Sequence, residues 1–303
     1  PGADPDKQYN ALGYLWSIAG KQEVRIALRD KEAVQMCLDI IRTSEYAENL
    51  EQATGLMCEL LRDTTAAQIA EVRGAVMILS RPLRIKDELR LINHTIICYG
   101  TLMVIVPNAK QQVLDSKVYQ HFVSILMEAK ARGQHAEAPK NQQEKMLQEI
   151  NDENMLHLSQ IITTLATNET ARNILFEMGV VDVLGETIHS YPNEAVRLEA
   201  CSALWNLQND EAIQSHIEEK GYLPDMLSML NKIDLTRTSD LAALREMGVD
   251  EEVLRKASED SVKHIDMEDL DKQIEKLRKM YDDLNDSDDM YMSSGSTGGT
   301  VGG

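Results

Sequence analysis

Five stretches of this 303-residue chain stack on one another, and that self-similarity limits its fold more than anything else. They begin at Ala11, Ala53, Tyr99, Leu158 and Ala200. Each reads as a long apolar helix, a polar turn and a short amphipathic helix. A sharp junction follows, and a further helix starts at once. With the junctions taken at Lys31, Arg73, Lys117, Gly179 and Gly221, the steps are 42, 44, 62 and 42 residues. The long third step has a visible source. Residues 129–154 are polar and carry Gly133 and Pro139, so they read as an inserted loop followed by an N-terminal extension of the next helix. Units that cannot bury their own apolar side must lean on their neighbours. The expected fold class is therefore all-α, a solenoid over residues 7–232 whose first unit starts at its third helix. The open end that this leaves calls for a cap: an upstream part of the same chain or a capping partner.

Local signals agree. Ala200, Ala203, Leu204 and Leu207 fall on one helical stripe, and Asn193 after Pro192 is placed to cap that helix. Gly179 and Gly221 stand where the chain must turn sharply, and a residue without Cβ does so cheaply. Composition points the same way. Aromatic residues are only 4% of the chain, with 2 Phe and 2 Trp against 15 Met. Such a core is built from Leu, Ile, Val, Ala and Met, which suits helices.

The fourth and fifth units carry a recognisable pattern: NILFEMGVVDVL from Asn173, LEACSALWNL ending at Leu207, and GYLPDMLSML from Gly221. It resembles the armadillo repeat, with HEAT repeats sharing the period as the alternative. The resemblance covers about residues 7–232 and is looser before residue 158. It implies a right-handed superhelix whose third helices line a peptide-holding groove. Import-receptor members hold basic peptides on a Trp and Asn ladder. The Asn rung corresponds here to Ser17, Glu59, Thr164 and Asn206, with the third unit ambiguous near Val104. The Trp rung corresponds to Gly13, Gly55, Gln160 and Ser202, so an import receptor is not expected. Trp16 and Trp205 stand one residue before the Asn rung, with Cys58 equivalent between them. They are candidates either for packing between third helices or for anchoring a partner's apolar side chain.

The charge balance of −19 argues against nucleic acid and against anionic membranes. A basic cluster nevertheless stands out: Arg73, Arg81, Arg84, Lys86 and Arg90. It reads as a solvated rim or as a receiver for an acidic peptide, including the chain's own Asp282, Asp283, Asp286, Asp288 and Asp289. Cys37, Cys58, Cys98 and Cys201 are never closer than 21 residues and form no CxxC pair. They read as buried reduced thiols of a cytoplasmic protein, with the nucleus as the alternative compartment. No apolar run is long enough for a membrane span. Seven scattered histidines make no ligand pair on one helix turn, and no phosphate cradle or nucleophile elbow occurs, so no cofactor, metal or catalysis is expected. An Asp-rich stretch from Asp283 lacks the Gly and Glu that an EF-hand loop needs.

Beyond residue 232 the repeat stops. Residues 233–285 read as a helical extension, with two short helices joined at Gly248. Met267, Leu270, Ile274, Leu277, Tyr281 and Leu284 then form a heptad seam within residues 266–284, for docking in cis or for pairing with a partner helix. Residues 286–303 read as an acidic, then Ser/Gly-rich tail. The expected function is a non-enzymatic scaffold or adaptor that holds a partner segment in the groove. The alternatives are a co-chaperone or nucleotide-exchange regulator gripping a folded domain, and a structural subunit of a cytoskeletal or axonemal assembly.

Overall fold

A computed structural model describes residues 4–134 and 139–230. The chain divides into two units, Pro1–Ile233 and Asp234–Gly303, and the second lies outside the described residues. The heptad seam of Met267, Leu270, Ile274, Leu277, Tyr281 and Leu284, the helices around Gly248 and the tail therefore also lie outside them.

The described residues form fifteen α-helices and one 3-10 turn, without strands, in five successive triplets. Unit one holds α1 (Pro5–Ile18), α2 (Gln22–Asp30) and α3 (Ala33–Thr43). Unit two holds α4 (Ala47–Leu60), α5 (Thr64–Val72) and α6 (Ala75–Ile78), extended by the 3-10 turn Pro82–Arg84. Unit three holds α7 (Leu89–Ile105), α8 (Ala109–Asp115) and α9 (Tyr119–Gln134). Unit four holds α10 (Gln142–Ala166), α11 (Glu169–Glu177) and α12 (Val180–Ser190). Unit five holds α13 (Glu194–Leu207), α14 (Glu211–Glu219) and α15 (Leu223–Leu230).

The long first helix of each triplet packs on the next, α1 on α4, α4 on α7, α7 on α10 and α10 on α13, to make a continuous ladder. Helices α3, α9 and α12 back it by packing on the following ladder helix. Buried side chains run along the whole stack as one core, so each triplet hides its apolar face against its neighbours. Ladder helices start and stop for local reasons. Asn193 accepts from the amides of Ala195 and Val196 and so starts α13, as its position predicts. The short helices α5, α11 and α14 begin with side-chain caps at Asp63, Asn168 and Asp210.

The sharp junctions are single left-handed residues: Glu32 (φ 61°), Gly74 (79°), Lys117 (59°), Gly179 (76°) and Gly221 (71°). This corrects the register in units one and two. Lys31 and Arg73 close the last turns of α2 and α5, and the turn falls one residue later. The true steps are 42, 43, 62 and 42 residues, more regular than the sequence reading, and three of the five turns use Gly. The long third step is mostly helix. Helix α9 runs on to Gln134 and α10 starts at Gln142, capped by Asn141, which leaves only a short link between them. The first turns of α10 are exposed to solvent.

Two arginines tie successive helices together at equivalent places, each seven residues before its turn. Arg25 donates to the Gly20 carbonyl (2.7 Å) and Arg172 to the Ala166 carbonyl (2.9 Å), satisfying the C-terminal ends of α1 and α10. A cation there also meets the negative end of the helix dipole.

Candidate groove on the ladder helices

The free face of the ladder is where the sequence places its candidate residues. Trp16 leaves α1 and lies over Gly55 of α4. A Cβ built on Gly55 would sit 2.7 Å from the indole, so only glycine admits the ring there. Beyond Gly55 the indole meets the His94 ring of α7 edge-on, with centroids 4.9 Å apart. One side chain thus spans three ladder helices. It also fills the space above a position where the peptide-holding ladder carries its own Trp. Trp16 packs between neighbouring ladder helices, and it still lines a cavity.

That cavity, of about 290 Å³, lies on the ladder face. Trp16 forms one wall, Arg90, Asn93 and His94 of α7 line its base, and Met146, Glu149, Ile150 and Glu153 of α10 close it. Asn93 donates to the Glu153 carboxylate (3.4 Å). Arg90 points one guanidinium nitrogen at Met146 Sδ (3.0 Å) and the other toward Glu51 (3.9 Å). Burial pushes the Glu51 carboxyl above its ordinary range, with Glu88 and Glu48 adding to the effect and Arg90 opposing it. Burial also lowers His94 to about 4, so this imidazole is neutral at pH 7. The cavity is a mixed site: an aromatic wall, aliphatic side chains and a surplus of carboxylates.

Trp205 is half-buried against the core of unit five. Asn206 spends its amide on the Ser202 carbonyl one turn back (2.8 Å). Of the Asn rung, Ser17 is exposed and Glu59 pairs with Arg62 (3.0 Å). Val104 stands 76% exposed on α7.

The five basic residues do not form one patch. Arg81 donates to the Ile41 (2.7 Å) and Ser44 carbonyls and so finishes α3. Lys86 pairs with Glu128 (2.6 Å). Arg90 belongs to the cavity just described. Arg73 and Arg84 are exposed, Arg73 at the end of α5 and Arg84 in the 3-10 turn. Sequence reasoning missed the carboxylates Glu149 and Glu153. They sit in the stretch read as insert, and only the winding of the stack brings α10 opposite Trp16.

A second, open cleft of about 730 Å³ lies at the first unit, between α1 and α3, floored by Ala11, Leu12, Leu15 and Ile40 and rimmed by Lys7, Lys31 and Asp39. Its lining comes from α1, from α3 and from the junction before α3, with no residue of α4. Among the described residues no group of three or more metal-ligating side chains occurs, and no helix is long and apolar enough to cross a membrane.

No family profile matches the chain, and no curated protein sequence matches it. Solved structures do. A designed armadillo repeat protein, YIII(Dq)4CqI, superposes with a TM-score of 0.61 at 17% identity, over 77% of this chain and 89% of that one. Computationally designed armadillo repeat proteins for modular peptide recognition give 0.60 at 17% identity, over 76% and 88%. A designed armadillo repeat protein in complex with the peptide (KR)4 gives 0.56 at 16% identity, over 80% and 91%. The fold is the armadillo-type helical solenoid. Identities this low carry the fold and nothing finer.

Proposed function

We propose that this chain is a non-enzymatic binding scaffold that holds an extended segment of a partner protein along its ladder face, and that the segment is basic. The cavity between Trp16 and α10 carries this reading. A lysine or arginine side chain entering it meets an aromatic face for its stem and head, and the Glu149 and Glu153 carboxylates for its charge. The surplus of acidic over basic residues in the chain favours the approach of such a segment. One of the similar designed proteins binds a peptide of alternating Lys and Arg, on the same architecture.

The test is a titration of the full chain, as the Trp205→Phe variant, with an extended Lys/Arg peptide and with its Asp/Glu counterpart, following Trp16 emission. The basic peptide should perturb Trp16 and bind more weakly as salt rises. Glu149→Gln with Glu153→Gln should weaken it about tenfold, or ~1.4 kcal/mol. Equal responses to both peptides, or none to either, would remove the reading.

A further inference from the structure

The sequence reading treats the four cysteines as unrelated buried thiols. The stack brings two of them together. Cys58 on α4 and Cys98 on α7 are 40 residues apart, close to one repeat, and their sulfurs lie 3.4 Å from each other. We propose that Cys58 and Cys98 are a modification site: a preformed dithiol that closes to a disulfide across two ladder helices when it meets a peroxide. This does not rest on the binding reading above, since it requires no occupant in the groove.

The geometry divides the two roles. Cys58 is half-buried, whereas Cys98 has no exposed surface. Cys58 donates to the His94 carbonyl (3.1 Å) and Cys98 to the Thr54 carbonyl (3.7 Å), so each sulfur is held from the other's helix. To reach bonding distance the sulfurs must close by about 1.4 Å, given ~2.04 Å for a disulfide. Burial, with Cys58 beside it, holds the Cys98 thiol well above its ordinary range. Cys58 is therefore the sulfur that meets the oxidant, and Cys98 is the resolving one.

The chemistry balances. Cys58, its proton released to water, attacks one peroxide oxygen. The O–O bond breaks, hydroxide leaves and takes a proton, and Cys58 becomes a sulfenic acid. Cys98 Sγ then attacks the Cys58 sulfur. The S–S bond forms, the S–O bond breaks, and the departing hydroxide takes the Cys98 proton as water. Two thiols lose two electrons and two protons, and one peroxide becomes two waters. Cys37 and Cys201 stay out of it. Burial lifts both thiols to about 12, and neither is exposed enough to meet a peroxide first.

The experiment treats the folded full chain with hydrogen peroxide, blocks remaining thiols under denaturing conditions, and maps the peptides without reductant. The expected product is a peptide pair joined through Cys58 and Cys98, reversed by dithiothreitol, with Cys37 and Cys201 blocked as free thiols. In Cys98→Ala, Cys58 should accumulate as a sulfenic acid that dimedone traps. In Cys58→Ala, Cys98 should stay unmodified. The wild-type map needs no variant to fold. Cys58 driven to sulfinic acid with Cys98 free, a link between any other pair, or four untouched thiols at a peroxide dose that oxidises a free cysteine peptide would each overturn the proposal.

Discussion

His94 is the residue whose environment most contradicts its ordinary chemistry. It lies under the Trp16 edge on α7, and burial together with the nearby Arg90 charge lowers it to about 4, against a hydrogen bond with the Glu51 backbone that works the other way. The sign follows directly. Below the ordinary histidine pKa of about 6.5 the unfolded chain takes up a proton that the folded chain refuses, so stability falls as pH drops from 6.5 toward 4 and then levels off. The loss assignable to this one group is about 2 kcal/mol between pH 7.5 and pH 5. Glu51, raised by its own burial, acts with the opposite sign at the acid end. Urea denaturation of wild type and His94→Gln at the two pH values checks this: the variant should lose about 2 kcal/mol less than wild type. None of this is legible in the sequence, where His94 is one of seven scattered histidines. Its burial depends on Trp16 arriving from another unit, 78 positions upstream.

At the scale of elements, order and number were readable because apolar periodicity and capping residues are local signals. Asn193 starts α13 for the reason its sequence suggests. The junctions were readable only to within a residue. Where a short helix closes its last turn decides which residue goes left-handed, and Gly74 and Glu32 take that position in place of Arg73 and Lys31. The five junctions form a natural series for the cost of a side chain at positive φ. A Cβ at Gly179 would meet nothing within 4 Å, so Gly179→Ala should lose about 1 kcal/mol from backbone strain alone. Lys117, exposed and left-handed, should give the reverse, with Lys117→Gly gaining about 0.5–1 kcal/mol. Chemical denaturation midpoints at constant m-value read both. The basic cluster shows why the candidate site was less legible than the fold. Arg81 looks free in sequence, yet it is spent on two α3 carbonyls that only the turn after α6 brings within reach.

Across the solenoid, stability is carried by contacts between neighbours, so it should be graded along the stack and not uniform. Helix α10 is the longest of the described helices, 25 residues, and packs on α7, α9 and α13, which belong to the units on both sides. Helix α1 borders the open cleft, and among the described residues the larger contacts of α1 and α2 are with α3 and α4 alone. Native-state hydrogen exchange should therefore find the slowest amides in α7 and in the second half of α10, and much faster exchange in α1 and α2. A flat profile would mean that the repeats unfold as one block. The repeat count was legible because each unit repeats the same demand for cover. The meeting of Trp16 with Glu149 and Glu153 was not, since the stack's winding appears in no spacing.

The indole that bridges α1, α4 and α7 has a mechanical corollary. A stack of hinged triplets behaves like a coil spring, and this one is pinned across its first three turns by a single wedge seated over Gly55. Any stretch or recoil imposed on the coil must then be taken up further along, beyond the helices that the wedge holds.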